Sequence, residues 1–246
     1  FAHNDGDGEF GPTGDADIIK CGSCSGETGS NRDISLGFEP QFVITKAVDA
    51  TGDWRITDTM RGLPADGTGV SLAANTASSE SSDDTLHIKS NGFYVNGLPG
   101  SGDYIYMAIR RGTKVPESAT EVFAIGTADS TTNPLFTSGL VTDMALRRPT
   151  SASNCYTASR LMQGTYLLTD TSDAASANSN VSDFSYQNGY YTGGSTSSSN
   201  YSWMWKRAPG FFDVVAYTGN GTAGRTVSHN LGVAPEMMWV KKRSGV

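Results

Sequence analysis

The chain has 246 residues, enough to bury one large core or two small ones. Only 17% of its residues are charged, and the formal net charge is −7. That balance argues against binding to nucleic acid, which relies on basic side chains meeting phosphates, and against docking on an anionic membrane. No apolar run approaches the roughly 20 residues of a spanning helix.

Gly, Ser, Thr, Asn and Asp fill the spaces between short apolar runs, which predicts an all-β chain of short strands and polar turns. No long segment has the three-and-four spacing of a helix. Residues 1–16 begin with Phe1-Ala2-His3, which reads as the end of a last strand, and continue through an acidic Gly-rich stretch. There Asp5, Asp7 and Glu9 alternate as calcium ligands do, yet Phe10 stands where a calcium loop wants Gly. The pattern fits either a calcium site or a solvated acidic linker.

Ile18 and Ile19 open a strand, followed by a Gly-rich turn over 22–29 and a short strand near Ile34. Cys21, Cys24 and Cys155 form an odd set. Cys21 and Cys24 make half a zinc knuckle with no second pair, in a strand-like context that does not activate thiols. They are read as ordinary thiols. Residues 36–46, LGFEPQFVITK, recur at 231–241 as LGVAPEMMWVK, and residues 134–147 form a looser middle copy. Gly permits the positive φ of a tight turn, and Pro fixes the entry to the next strand. Residues 53–58, DWRITD, alternate as a strand; 73–84 and 173–180 are small-residue loops.

Residues 91–110, NGFYVNGLPGSGDYIYMAIR, recur without a gap 97 residues on, at 188–207, as NGYYTGGSTSSSNYSWMWKR. Eight of the twenty positions are identical, where chance gives about one or two. The chain therefore reads as tandem repeats. They comprise the end of a preceding domain and linker (1–16), a first repeat (17–111), a second (112–208) and the opening hairpin of a third (209–246). Both ends fall inside repeats, so the expectation is an interior segment of a longer protein. Seven or eight short strands in about 97 residues suit an antiparallel β-sandwich. In residues 104–109, YIYMAI, both faces are apolar, which predicts a central strand covered on both sides. The gapless alignment puts Trp203 and Trp205 on the face that carries Tyr106 and Ala108 in the first copy.

No catalytic residue is assigned. His3, His87 and His229 fall at different repeat positions, and no G-x-S-x-G turn stands out. Asp83 and Asp84 are strand neighbours that face opposite ways. The Gly-rich ETGS and TGNG turns lead into strands rather than helix N-termini, so they are hairpin turns and not phosphate cradles. Trp54, Tyr94, Tyr191 and Tyr201 are the candidate glycan-binding residues, since sugar rings stack on aromatic faces beside Asp and Asn. Aromatics favour strands, however, and a place in the sandwich core is the expected role of each.

Residues 217–245, YTGNGTAGRTVSHNLGVAPEMMWVKKRSG, resemble the repeated β-domain of structural and tail-fibre proteins of tailed bacteriophages, marine and cyanobacterial phages above all. The same resemblance runs through Trp54, Arg61-Gly62, Leu72-Ala-Ala-Asn75, Asn91-Gly-Phe93 and Tyr104-Ile-Tyr-Met107, and the second copy has Gln163 in the place of Arg61. FAHNDGDGEFG is similar to the exit from a concanavalin-like (laminin-G-like) sandwich. The resemblance implies concanavalin- or jelly-roll-like repeats in a non-enzymatic virion structural protein. It would be a tail-fibre or appendage segment on the virion surface, self-associated as a homotrimer or larger assembly. No cofactor is expected beyond the candidate calcium. A lectin-like adhesin for host surface polysaccharide is the alternative reading, and a glycan-degrading tailspike is disfavoured by the lack of paired carboxylates.

Overall fold

The fold is that of a computed structural model, which describes residues 17–25, 32–65, 68–96, 98, 102–112, 114–151, 153–178, 182–193 and 198–243. The chain divides into two compact units, residues 1–114 with 215–230 and residues 115–214 with 231–246. It is all-β, and the only helix among the described residues is two short 3-10 turns, Ala119–Glu121 and Arg160–Met162.

The strands of the first unit are β1 (Ile19–Ser25), β2 (Arg32–Ser35), β3 (Pro40–Ala47), β4 (Arg55–Asp58), β5 (Gly69–Ala73), β6 (Ser81–Asp83), β7 (Leu86–Lys89), β8 (Gly92–Val95) and β9 (Asp103–Arg110). They form a six-stranded antiparallel sheet in the order β1-β9-β3-β4-β5-β6 and a three-stranded sheet β2-β8-β7. The second unit contains β10 (Phe123–Thr127), β11 (Phe136–Thr137), β12 (Met144–Pro149), β13 (Tyr156–Ser159), β14 (Leu167–Leu168), β15 (Ser182–Asp183), β16 (Gly189–Thr192) and β17 (Asn200–Trp205). Its sheets run β10-β17-β12-β13-β14 and β11-β16-β15. Apart from β6, which has no counterpart among the described residues of the second unit, this is the topology of the first unit, so the repetition lies in the architecture as well as in the letters.

Each core lies between a large and a small sheet, which makes the unit a sandwich. In the second unit Phe136 and Tyr190 of the small sheet pack with Ala145, Ala158 and Met204 of the large one, and Phe184 joins them. The Tyr190 ring stacks on Phe136 and on Phe184 at 5.0 and 5.3 Å. In the first unit Phe93 of β8 meets Tyr106 of β9 edge to face at 5.2 Å.

The recurrent Asn-Gly has a structural cause. The Asn91 carbonyl accepts hydrogen bonds from the backbone N–H groups of Leu36 and Gly37, and the Asn188 carbonyl does the same for Ser138 and Gly139. Gly37 and Gly139 have φ of 83° and 73°, conformations open to glycine. A Cβ at Gly92 would lie 1.9 Å from the Ile34 carbonyl oxygen, and one at Gly189 would lie 1.9 Å from that of Phe136. The neighbouring strand can approach only where that carbon is missing. Gly92→Ala should therefore destabilise the first repeat by about 1–3 kcal/mol or more; an unchanged urea midpoint would contradict this.

The register corrects the gapless alignment. Asn91 and Asn188 are equivalent, as expected. Beyond the next loop, however, Asp103 matches Ser199, because their carbonyls accept from Val48 and Thr150 at the same point of each sheet. The offset has fallen from 97 to 96 residues, and in a strand one residue exchanges the two faces. Tyr106 is therefore equivalent to Ser202, each lying opposite the β1 or β10 glycine, Gly22 or Gly126. Trp203 and Trp205 correspond to Met107 and Ile109 and face away from the core, whereas Tyr106 and Ala108 face into it.

β9 is central, lying between β1 and β3, but only one of its faces is buried. Tyr104, Tyr106 and Ala108 pack inward, whereas Ile105 is 44% exposed and Met107 and Ile109 are half-buried. The expectation of cover on both sides does not hold. The second unit repeats the feature: Ile125 is 61% exposed and aligns across the sheet with half-buried Trp203 and Leu146. Residues 209–243 contain no strand, although their counterpart in the first repeat forms β1 to β3.

Candidate functional site

Trp54 stands just before β4, at the end of the large sheet. Its backbone N–H donates to Asn75 Oδ1 at 2.9 Å, and Asn75 Nδ2 donates to Asp53 Oδ1 at 3.0 Å. The Ala74 N–H closes the group on the Trp54 carbonyl at 2.8 Å. The residue is 39% exposed. An indole open to solvent beside a fixed carboxylate and amide offers an apolar face to a sugar ring and polar atoms to its hydroxyls.

One residue further, Arg55 is paired with Asp83, Nη1 to Oδ2 at 2.8 Å. Burial pushes the Asp83 carboxyl upward, but hydrogen bonds from Thr85 and Ser71 and the Arg55 charge outweigh it and hold the group below its ordinary value. The stability it contributes is present above the unfolded carboxylate pKa and lost as pH falls through the lower folded one. Acidification below about pH 4 should therefore lower the first repeat's melting temperature more in the native chain than in Asp83→Asn. Equal acid sensitivity of the two would count against this role.

Tyr94 lies on the outer side of the small sheet β2-β8-β7, in register with Asp33 and His87. The His87 ring stacks on it at 5.8 Å, and the Lys89 ammonium sits 5.0 Å from its centroid. Lys89 in turn pairs with Asp33, and Asp84 accepts from Asn96 at 3.0 Å while meeting His87 Nε2 at 2.8 Å. Tyr94 is thus the centre of a self-contained polar group rather than an open stacking platform. Sequence reading missed this group because Asp33, His87 and Tyr94 meet only through strand pairing.

Tyr191, on the small sheet of the second unit, is 37% exposed, and Tyr201, on the outer face of the large sheet, is 43% exposed. Tyr201 lies between Thr127 and Arg148 in the row beside Ile125, Trp203 and Leu146. Within each unit the candidates lie on different sheets: Trp54 and Tyr201 belong with the large sheets, Tyr94 and Tyr191 with the small ones. Arg61, prominent in the resemblance, pairs with Asp58 at 3.0 Å and with Glu80, an arrangement that fixes its own turn.

The calcium candidates Asp5, Asp7 and Glu9 lie outside the described residues. Among the described residues no cluster of three His, Cys, Asp or Glu suits a metal ion, and no helix is long and apolar enough to cross a membrane. Cys21 is exposed and Cys24 buried; three residues apart on β1, they face opposite sides and cannot chelate together. Burial raises the Cys24 thiol pKa, opposite to activation.

A second concentration of charge is buried, in the second unit. Asp143 Oδ1 lies 3.4 Å from Arg160 Nε and 3.6 Å from Arg207 Nε, and its Oδ2 accepts from the Arg207 backbone N–H at 2.7 Å. Arg160 also donates to the carbonyls of Phe184 and Thr142. Burial lowers the pKa of Arg160, and the neighbouring Asp143 opposes that shift. The first unit has a simpler version, with Arg111 Nε 3.8 Å from the buried carboxylate of Glu39. These groups are closed to solvent and serve the fold.

No curated protein and no solved structure matches this chain. One family model matches it twice, over residues 18–111, which take in β1 to β9, and over residues 125–246, which begin within β10 and take in β11 to β17. The chain belongs to that family, described as a domain of unknown function (DUF7483).

Proposed function

We propose that the chain is a non-enzymatic structural segment of a tailed-phage virion, part of a fibre or other surface appendage, and that copies associate as a trimer or larger assembly. The observation that carries this reading is the outer face of the large sheets. The two repeats differ widely in sequence, yet both present apolar side chains there, with Ile105 44% and Ile125 61% exposed. A sheet face turned to water would alternate to polar residues, whereas an apolar face kept in both repeats suits repeated packing against equivalent chains. Light scattering should find the purified chain associated and the Ile105→Lys, Ile125→Lys double variant monomeric, with both folded by circular dichroism. A monomeric native chain would remove the assembly. Antiserum against the chain should decorate an appendage of the source virions, and purified virions lacking the antigen would refute the assignment.

The Trp54 group favours a second reading, a lectin-like module for host surface polysaccharide. An exposed indole beside Asp53 and Asn75 is the arrangement that reading needs. Trp54→Ala should weaken polysaccharide binding about tenfold, equivalent to about 1.4 kcal/mol. Loss of binding in EDTA would bring the Asp5, Asp7 and Glu9 stretch into the site; indifference to EDTA would leave the sugar bound without metal. Absence of saturable binding by the native chain would dispose of the lectin altogether.

A further inference from the structure

The exposed large apolar side chains of residues 17–114 gather at one corner of the large sheet. Among the described residues of that stretch they are Val48, Trp54 and Ile105, exposed by 61%, 39% and 44%. Strand register brings them together. Ile105 of β9 lies opposite Lys46 of β3, and the Val48 N–H donates to the Asp103 carbonyl at 2.9 Å, so Val48 stands beside Asp103 two residues along. Thr45 and Ala47 are buried in the core, which turns Lys46 and Val48 to the outer face. Thr45 pairs with Arg55, and the Ala74 N–H reaches the Trp54 carbonyl at 2.8 Å, so the pairing of β4 with β5 runs one bond past Arg55. Trp54 therefore follows Lys46 across the outer face, on the side of Ile56 and away from Arg55. The result is a patch with Lys46 amid Val48, Trp54 and Ile105, and with the exposed Asp103 at its rim. The second repeat keeps part of this corner. Tyr201 lies opposite Arg148 as Ile105 lies opposite Lys46, whereas Thr150 and Ser199 stand in the places of Val48 and Asp103.

We propose that this corner of the first repeat is where copies of the chain meet, that Trp54 is covered there by a second copy rather than by a sugar, and that Lys46 of each copy pairs with Asp103 of its neighbour. The inference rests on the assembly reading and deepens it by naming the contact. Two features choose a second copy. A tryptophan among aliphatic side chains is the usual centre of a protein contact, whereas Val48 and Ile105 offer nothing to the hydroxyls of a sugar. The patch also carries one cation and one anion side by side, so its charge is complementary to itself, and that pairing can close around a symmetry axis. Assembly and sugar binding at Trp54 then exclude each other, because both need the same indole.

The test is hydroxyl-radical footprinting of the full chain, read residue by residue by mass spectrometry, with light scattering and circular dichroism on the same samples. As concentration rises from the monomeric to the associated range, oxidation of Trp54 should fall about fivefold or more, as at a contact centre closed to water, while Tyr94 on the small sheet keeps its rate. Lys46→Asp and Asp103→Lys should each raise the association Kd by about tenfold or more, and the chain carrying both should associate nearly as well as the native one. An associated native chain whose Trp54 is oxidised as in the monomer, or a double variant no better than its parents, overturns the contact and leaves the assembly standing. A native chain that is monomeric at every concentration removes both.

Discussion

Replacing Asp143 by alanine should cost the second repeat about 3–5 kcal/mol, the loss typical when one partner of a buried ion pair is removed. The carboxylate is the shared neighbour of two guanidinium groups whose side chains are 2% and 1% exposed. Without it, Arg160 and Arg207 face each other in a medium that screens them poorly, and the Arg207 backbone N–H loses its acceptor. Both side chains are almost fully buried, so neither reaches water without local opening of the fold. Denaturation followed by hydrogen exchange would show β12 and β17 losing protection, with β3 and β9 as the internal reference. A loss below about 1 kcal/mol, the scale of a surface pair, would mean the cluster is wetter than its burial implies. Replacing all three residues together by Leu and Met should recover much of the loss, because it removes the desolvation cost along with the attraction.

The second large effect concerns the aromatic centre of the sandwich. Tyr106→Ser should destabilise the first repeat by about 3–5 kcal/mol, since it deletes a ring packed between the sheets. The second repeat already contains serine at that place, Ser202. There the facing residue is Tyr190 instead of Phe93, and its hydroxyl meets Ser202 Oγ at 2.8 Å. Phe93→Tyr alone should cost about 1–3 kcal/mol, because the added hydroxyl must be fitted into a core already filled by the Tyr106 ring. In the Tyr106→Ser background the same change should restore stability. A double-mutant cycle measures this: coupling of about 1 kcal/mol or more is expected, and simple additivity would refute the compensation.

Much of this fold was legible in order along the chain. PQFVITKA alternates as a strand should and is buried in that pattern, and Gly37 before it marks the turn where φ is positive. What could not be read lies in relations between distant segments. The loop after Asn96 differs between the copies, GLPGSG against GSTSSS, and the chance identities in and beyond it favour the alignment without a gap. A single residue lost there exchanged inside for outside along the whole of β17. Trp54 carries no sign of its exposure in its neighbours' pattern, because it precedes the ladder rather than belonging to it. Asp143, Arg160 and Arg207 look like surface charges in a polar sequence, and only the sheet order brings them together under cover. The apolar outer face of β9 was visible, but alternation cannot tell a face covered by its own domain from one left for something else.

The Phe93–Tyr106 and Tyr190–Ser202 pairs also bear on inheritance. Tandem repeats in a gene invite unequal crossing-over, and an exchange falling between the codons of β8 and β9 would splice one repeat's first partner to the other's second. One product would join Phe93 to Ser202 and leave a hole; the reciprocal product would join Tyr190 to Tyr106 and crowd two hydroxyls into one space. Each recombinant would carry a wounded core, so the two copies are free to be gained or lost whole and are barred from trading halves.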